Sequence, residues 1–273
     1  MSIQIRKISV AIILATSILA GCNSTNSLEN TINFKSDQGT QNNIKSLTQV
    51  VTRNPGSAEA FNVRGAAYGR AGLTNEALRD FSTAIRLDPQ YFQAYANRAL
   101  INRQTNKPAA AVKDYSAALR INPRYDAAYI GRGNVYRVAG RNKEALLDFE
   151  RAIQLGSSNP RAYHARGLVL QSSGRHGQAI EDFTTAISID STPAQPYSGR
   201  AVSYLALNDT YNALLDANRA IDIDSKIAEA WLTKALVLER QGNKIEARHA
   251  FGVAAQINPK MREAAKGLGR VRL

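Results

Sequence analysis

The chain has 273 residues, 44% hydrophobic and 21% charged, with 35 basic against 22 acidic residues and a formal net charge of +13. One cysteine and three histidines exclude a disulfide framework, a cysteine-rich zinc site and an iron–sulfur cluster. The first element is a leader, in which Arg6 and Lys7 precede an apolar run from Ile8 to Ala20. That run is short of the ~20 residues a spanning helix needs and has the length of a signal-peptide core. It leads into Leu19-Ala20-Gly21-Cys22, where the cysteine of the chain sits.

This tetrapeptide resembles the lipobox of bacterial lipoproteins. The resemblance implies cleavage before Cys22, a thioether-linked diacylglycerol on its sulfur and acylation of the new amino group. Several acyl chains at ~0.8 kcal/mol per buried methylene make such an anchor permanent. Asn23, rather than Asp, follows the cysteine, which resembles lipoproteins sorted to the outer membrane. The expected location is therefore the periplasmic side of a bacterial outer membrane, ahead of the inner membrane. Loss of residues 1–21 removes Arg6 and Lys7, leaving 33 basic against 22 acidic residues, a net +11. Residues 22–40 are rich in Asn, Ser and Thr and predict a flexible tether.

From there the chain repeats. Phe61, Tyr95, Tyr129, Tyr163, Tyr197 and Trp231 are each 34 residues apart. With these as position 4, units span 58–91, 92–125, 126–159, 160–193, 194–227 and 228–261. Position 8 is Gly or Ala throughout, and positions 20 and 27 are Ala in every unit. Position 24 is Phe81, Tyr115, Phe149, Phe183, Ala217 and Phe251. Position 15 is only ever Gly or Asn, the residues that best tolerate a left-handed helix C-cap, so one helix ends near position 14 and a second follows. Pro108 suits the first turn of such a second helix. Small residues at 8, 20 and 27 let helices approach, and rings at 4, 11 and 24 fill the gaps.

The pattern resembles the tetratricopeptide repeat (TPR) family, with a departure at position 11, where Asn102, Leu170 and Leu238 replace the aromatic. The implied fold is all-α: a right-handed superhelix of antiparallel helix pairs, six repeats plus capping helices. A lone second helix, residues 41–57, caps the N-terminus, and residues 262–273 form a C-terminal capping helix that Gly267 and Gly269 weaken.

Two charge ladders run through the array. Position 7 is Arg64, Arg98, Arg132, Arg166, Arg200 and Lys234; position 23 is Asp80, Asp114, Asp148, Asp182 and Asp216, then Ala250. They predict structural ion pairs, either within a unit or from each Asp to the base of the next. The second register is preferred here, because both charges then vanish together at Ala250 and Leu268. On this reading the ladder also carries part of the positive balance.

The sequence holds no nucleophile elbow, no P-loop and no metal spacing among His164, His176 and His249, so neither an enzyme nor a cofactor is expected. In TPR solenoids helix A lines the concave face, mostly through positions 2, 5, 6, 9, 12 and 13. The candidate partner-binding residues are therefore Asn62, Arg70, Asn97, Arg103, Gln104, Asn134, Arg137, His164 and Gln171, a polar and basic groove. Val202, Leu205, Leu232 and Leu236 predict a more apolar far end, whereas the carboxylate clamp of chaperone-binding TPR domains is absent. Protein or peptide partners in the groove, and the membrane through Cys22, are expected; nucleic acid is disfavoured by the leader, and a homo-oligomer stays open. The class resembled is that of NlpI-like envelope adaptors. The alternatives are pilotin-like lipoproteins of the PilF or TadD type and a binder of anionic envelope glycan.

Overall fold

The computed structural model describes residues 38–272; the leader, Cys22 and the tether up to residue 37 lie outside them. Among the described residues there are fourteen α-helices and no strand. The first is α1 (Gln38–Arg53). It begins three residues inside the segment expected to be tether: Gln38-Gly39-Thr40 contains no helix breaker of the proline kind, and one further turn adds backbone bonds without needing the apolar stripe that starts at Ile44.

Six helix pairs follow at the repeat interval. The first members, helices A, are α2 (Ala58–Arg70), α4 (Phe92–Gln104), α6 (Asp126–Val138), α8 (Pro160–Ser172), α10 (Ala194–Ala206) and α12 (Ala228–Arg240). The second members, helices B, are α3 (Thr74–Leu87), α5 (Pro108–Ile121), α7 (Asn142–Gln154), α9 (His176–Ile189), α11 (Thr210–Ile223) and α13 (Lys244–Ile257). The last helix is α14 (Arg262–Arg270). None of the described helices is long and apolar enough to cross a membrane.

Each A helix stops where the position-15 residue turns left-handed. Gly72, Gly140, Gly174 and Gly242 have φ between 72° and 77°, and Asn106 and Asn208 have φ of 56° and 64°. The next amide then reaches back across the turn, as Leu73 N–H does to the Tyr68 carbonyl at 2.9 Å. Pro108 stands in the first turn of α5, where no intrahelical N–H is needed.

The alanines at positions 20 and 27 are wholly buried in all six units. Phe81, Phe149, Phe183 and Phe251 fill the space between helices. Phe81, Phe149 and Phe183 lie against position 8 of their own unit, and Tyr115, Phe183 and Phe251 against position 6 of the next. A methyl on Gly167 would come within 2.8 Å of Phe183, and one on Gly199 within 2.7 Å of the same ring. Gly267 stands at that position 6 in α14 and packs on Phe251, so it seats the cap as well as weakening its helix. Where Ala217 replaces the ring, the following position 6 is Thr233, buried, with its hydroxyl bonded to the Glu229 carbonyl. A larger residue thus takes up the missing volume.

Neighbouring A helices touch one another, α2 with α4 and onward to α12 with α14, while no two B helices touch among the described residues. The A helices therefore form the inner, concave layer and the B helices the outer, splayed one.

Candidate functional site: the inner surface and the ladder

Five arginines of the ladder fork onto aspartates of their own unit. The pairs are Arg64–Asp80, Arg98–Asp114, Arg132–Asp148, Arg166–Asp182 and Arg200–Asp216. In each, Nε donates to one carboxylate oxygen and Nη2 to the other, at 2.6–2.9 Å. The aspartates are buried, and their hydrogen bonds hold the arginines above an already high pKa. The register preferred from sequence, Asp to the next unit, is therefore wrong. Position 23 faces the A helix of its own pair, and position 25, two residues on, faces the next one. The link between units runs through that position: Arg98, Arg132 and Arg200 donate through Nη1 to Ser82, Ser116 and Thr184 of the preceding unit at 2.9–3.1 Å.

Aromatic rings complete the cage. The Arg132 guanidinium lies 5.8 Å from the Tyr129 ring centre and 5.9 Å from that of Tyr136, and Arg200 sits likewise between Tyr197 and Tyr204. In the second unit Asn102 replaces the position-11 ring and donates to Asp114 at 3.2 Å, so that departure from the pattern extends the ion pair instead of weakening it. Lys234, opposite Ala250, rests its Nζ 5.5 Å from the Trp231 ring centre. Five arginines matched by five aspartates carry no net charge. The expectation that the ladder supplies the positive balance is corrected to the single charge of Lys234.

The nine candidate groove residues divide by what they touch. Asn97 donates to Asn62 at 2.9 Å, and the buried Asn62 donates to the Tyr91 hydroxyl at 3.3 Å. Gln171 donates to the Gly199 carbonyl at 2.7 Å and to Ser203 at 2.8 Å, bridging the fourth and fifth units. Asn134 is turned back onto the Ile130 carbonyl and receives Arg137 Nε at 3.4 Å. The bonds of Asn62, Asn97 and Gln171 link neighbouring units, a task invisible in a single repeat because each partner lies about one period away, whereas both bonds of Asn134 stay within α6.

Arg70 and Gln104 are exposed, and Arg103 and Arg137 are half-buried. His164 packs on the Phe183 ring; burial, reinforced by the Arg137 charge, lowers its pKa to about 4, so it is neutral at ordinary pH. The N-terminal half of the inner surface is thus a cationic rim over a self-paired amide layer.

The apolar far end is smaller than its sequence suggests. Leu205 is buried, and Leu232 and Leu236 pack with Phe251, Ala264 and Val271 beneath the C-terminal cap. That cap is locked by Arg270, whose Nε and Nη2 fork onto Glu239 at 2.7 and 2.8 Å while Nη1 reaches Glu263 at 3.0 Å. Among the described residues no group of three His, Cys, Asp or Glu side chains converges as a metal site. Cys22 lies outside the described residues.

Models of the tetratricopeptide repeat match residues 64–126, 133–174 and 160–193. A curated relative, Hsp70-Hsp90 organizing protein 3 of Arabidopsis thaliana, is 31% identical over 58 residues, which is 21% of this chain and 10% of that protein. The match thus spans about a tenth of that relative's length. Among solved structures, the APC/C hetero-tetramer Cut9-Hcn1 superposes with a TM-score of 0.74 at 20% identity, over 83% of this chain and 45% of that one. PilF of Pseudomonas aeruginosa gives 0.71 at 19% identity, over 78% and 97%. PilW, a type IV pilus biogenesis factor, gives 0.68 at 16%, over 77% and 98%. Repeat models, helix pairing and these superpositions agree: the described chain is a tetratricopeptide-repeat solenoid, a fold that serves as a protein-interaction scaffold.

Proposed function

We propose that this protein is a non-enzymatic adaptor, lipid-anchored through Cys22 on the periplasmic side of the outer membrane, that holds protein partners of the cell envelope against its inner helix layer. The observation that carries the reading is the set of basic side chains Arg70, Arg103 and Arg137 on the inner helices, beside side-chain amides whose hydrogen bonds are already made within the protein. A partner meets a rigid surface whose amides need no rearrangement, and its acidic side chains supply the complement to the rim. Peptidoglycan remodelling, as in NlpI-like adaptors, is the setting favoured.

A pilotin-like role is the second reading. It is supported by size, since this chain spans 98% of PilW, a pilus biogenesis factor. Crosslinking from the lipidated protein, followed by mass spectrometry of captured partners, separates the two. Hydrolases or a processing protease support the adaptor; secretin subunits support the pilotin. Cys22→Ala tests the anchor: the variant is expected to leave the membrane fraction, and wild-type fractionation would sink the lipoprotein assignment.

A further inference from the structure

The outer surface also divides along the array. On each B helix positions 18, 22 and 29 point away from the buried positions 20, 23, 24 and 27. In α1 and in the six B helices that follow, all residues at those three positions are exposed. On α1, α3, α5 and α7 they include Lys45, Arg79, Arg86, Lys113, Arg120 and Lys143, and no carboxylate. On α9, α11 and α13 they include Glu181 and Asp222, and neither lysine nor arginine; Tyr211, Leu215 and Ile245 stand in the same rows. The first four outer helices thus present a ridge of six cations, one or two per repeat. Of these, only Arg79 forms an ion pair within 4 Å among the described residues, with Glu76 at 3.7 Å.

We infer that this ridge docks on an anionic lipid bilayer. Net charge alone does not carry the argument, since the ladder is neutral and on the far outer helices these three rows hold Glu181 and Asp222 but no lysine or arginine. A row of exposed cations on the outside of successive helices suits an extended negative surface, where each basic side chain close to it adds to the attraction. The position along the chain points the same way. The ridge begins on the first described helix, and only 15 residues separate Cys22 from Gln38. Fully extended, they reach at most about 55 Å. This step rests on the lipid-anchor reading: with Cys22 acylated, the ridge is confined near the bilayer and a weak attraction suffices to lay the N-terminal units on it. The inner rim then remains turned to partners.

The test uses the full chain carrying Cys22→Ala, sedimented with vesicles of phosphatidylcholine alone or with about one third phosphatidylglycerol. Phosphatidylcholine vesicles report any binding through the apolar leader. The expected result is about a tenfold stronger partition onto the anionic vesicles at ~0.1 M salt, lost at ~0.5 M. The variant Lys45→Glu/Arg79→Glu/Lys113→Glu should lose that preference with unchanged circular dichroism. The charge-matched variant Arg161→Glu/Arg248→Glu/Arg262→Glu, at exposed positions outside rim and ridge, should keep it. Equal partition onto both vesicles, an equal loss in both variants, or retention on peptidoglycan or DNA without preference for anionic vesicles would overturn the proposal. A failure of the Cys22 reading shows separately, as a Cys22→Ala protein that still fractionates with membranes as wild type does at ~0.5 M salt, where binding through the ridge is lost.

Discussion

Removal of the Asp148 carboxylate by Asp148→Ala tests both the existence and the register of the ladder. It deletes two charge-assisted hydrogen bonds, Arg132 Nε to Oδ2 at 2.9 Å and Nη2 to Oδ1 at 2.8 Å. It leaves a guanidinium caged by Tyr129 and Tyr136 whose side chain is only 20% exposed. Breaking a fully buried pair costs about 3–5 kcal/mol; partial exposure of the arginine, and its remaining bond to Ser116, bring the expected loss to about 3 kcal/mol. For a chain of this size a urea slope of about 3 kcal/mol/M converts that into a midpoint lowered by about 1 M. Urea unfolding followed by circular dichroism reads it. A double-mutant cycle then fixes the register: Asp148→Ala should couple to Arg132→Met by more than ~1 kcal/mol and to Arg166→Met by less than ~0.5 kcal/mol. A single-mutant loss under ~0.5 kcal/mol, or stronger coupling to Arg166, would refute the reasoning. Replacing both partners by Met and Leu should recover much of the loss, because the desolvation of two charges disappears with them.

Other outcomes follow from the packing. Gly199→Ala forces a methyl to 2.7 Å from the Phe183 ring and should cost about 1–3 kcal/mol in thermal melts, whereas Gly177→Ala meets open space and should stabilise by up to about 1 kcal/mol. His164 is held neutral in the fold down to about pH 4, against an ordinary value of 6.5. The unfolded chain therefore takes up a proton first as pH falls, so stability is full above about pH 6.5 and is lost progressively down to about pH 4, by at most about 3 kcal/mol. His164→Gln should flatten that part of the stability–pH curve, and an unchanged slope would count against burial as its cause. Arg270→Ala removes the fork onto Glu239, and amide exchange should rise in α14 first, with the central units unaffected.

The helices, their order and their ends were legible in the residues because each rests on local chemistry repeated six times. The turn at position 15 requires a positive φ, which Gly and Asn tolerate best, and the small alanines at positions 20 and 27 permit close helix contact. Position 24 read alone predicted a ring; that Gly199 and Gly267 receive the ring of the preceding unit required knowing which helix lies next to which. The candidate groove was less legible. Asn62, Asn97 and Gln171 have the side chains of ligand-binding amides, but their hydrogen bonds go to partners 28 to 35 residues away. The outer ridge was present in the sequence as Lys45, Arg79 and Lys113 at one period, and passed unremarked because exposed helix positions carry charge as a rule.

Sequence alone settled the repeat, the small-residue contacts, the turn chemistry and the two charge ladders as opposing sets, since each depends on residue type and spacing along one chain. Tertiary structure decided the pairing. A two-residue step along a helix turns a side chain by about 200°, so position 23 meets its own A helix while position 25 meets the next. The period is the same for both registers, and no count of residues distinguishes them. The same limit applies to charge: +13 is a sum over the chain, and only the packed array separates arginines neutralised by Asp80, Asp114, Asp148, Asp182 and Asp216 from the three lysines and three arginines that line the outer ridge.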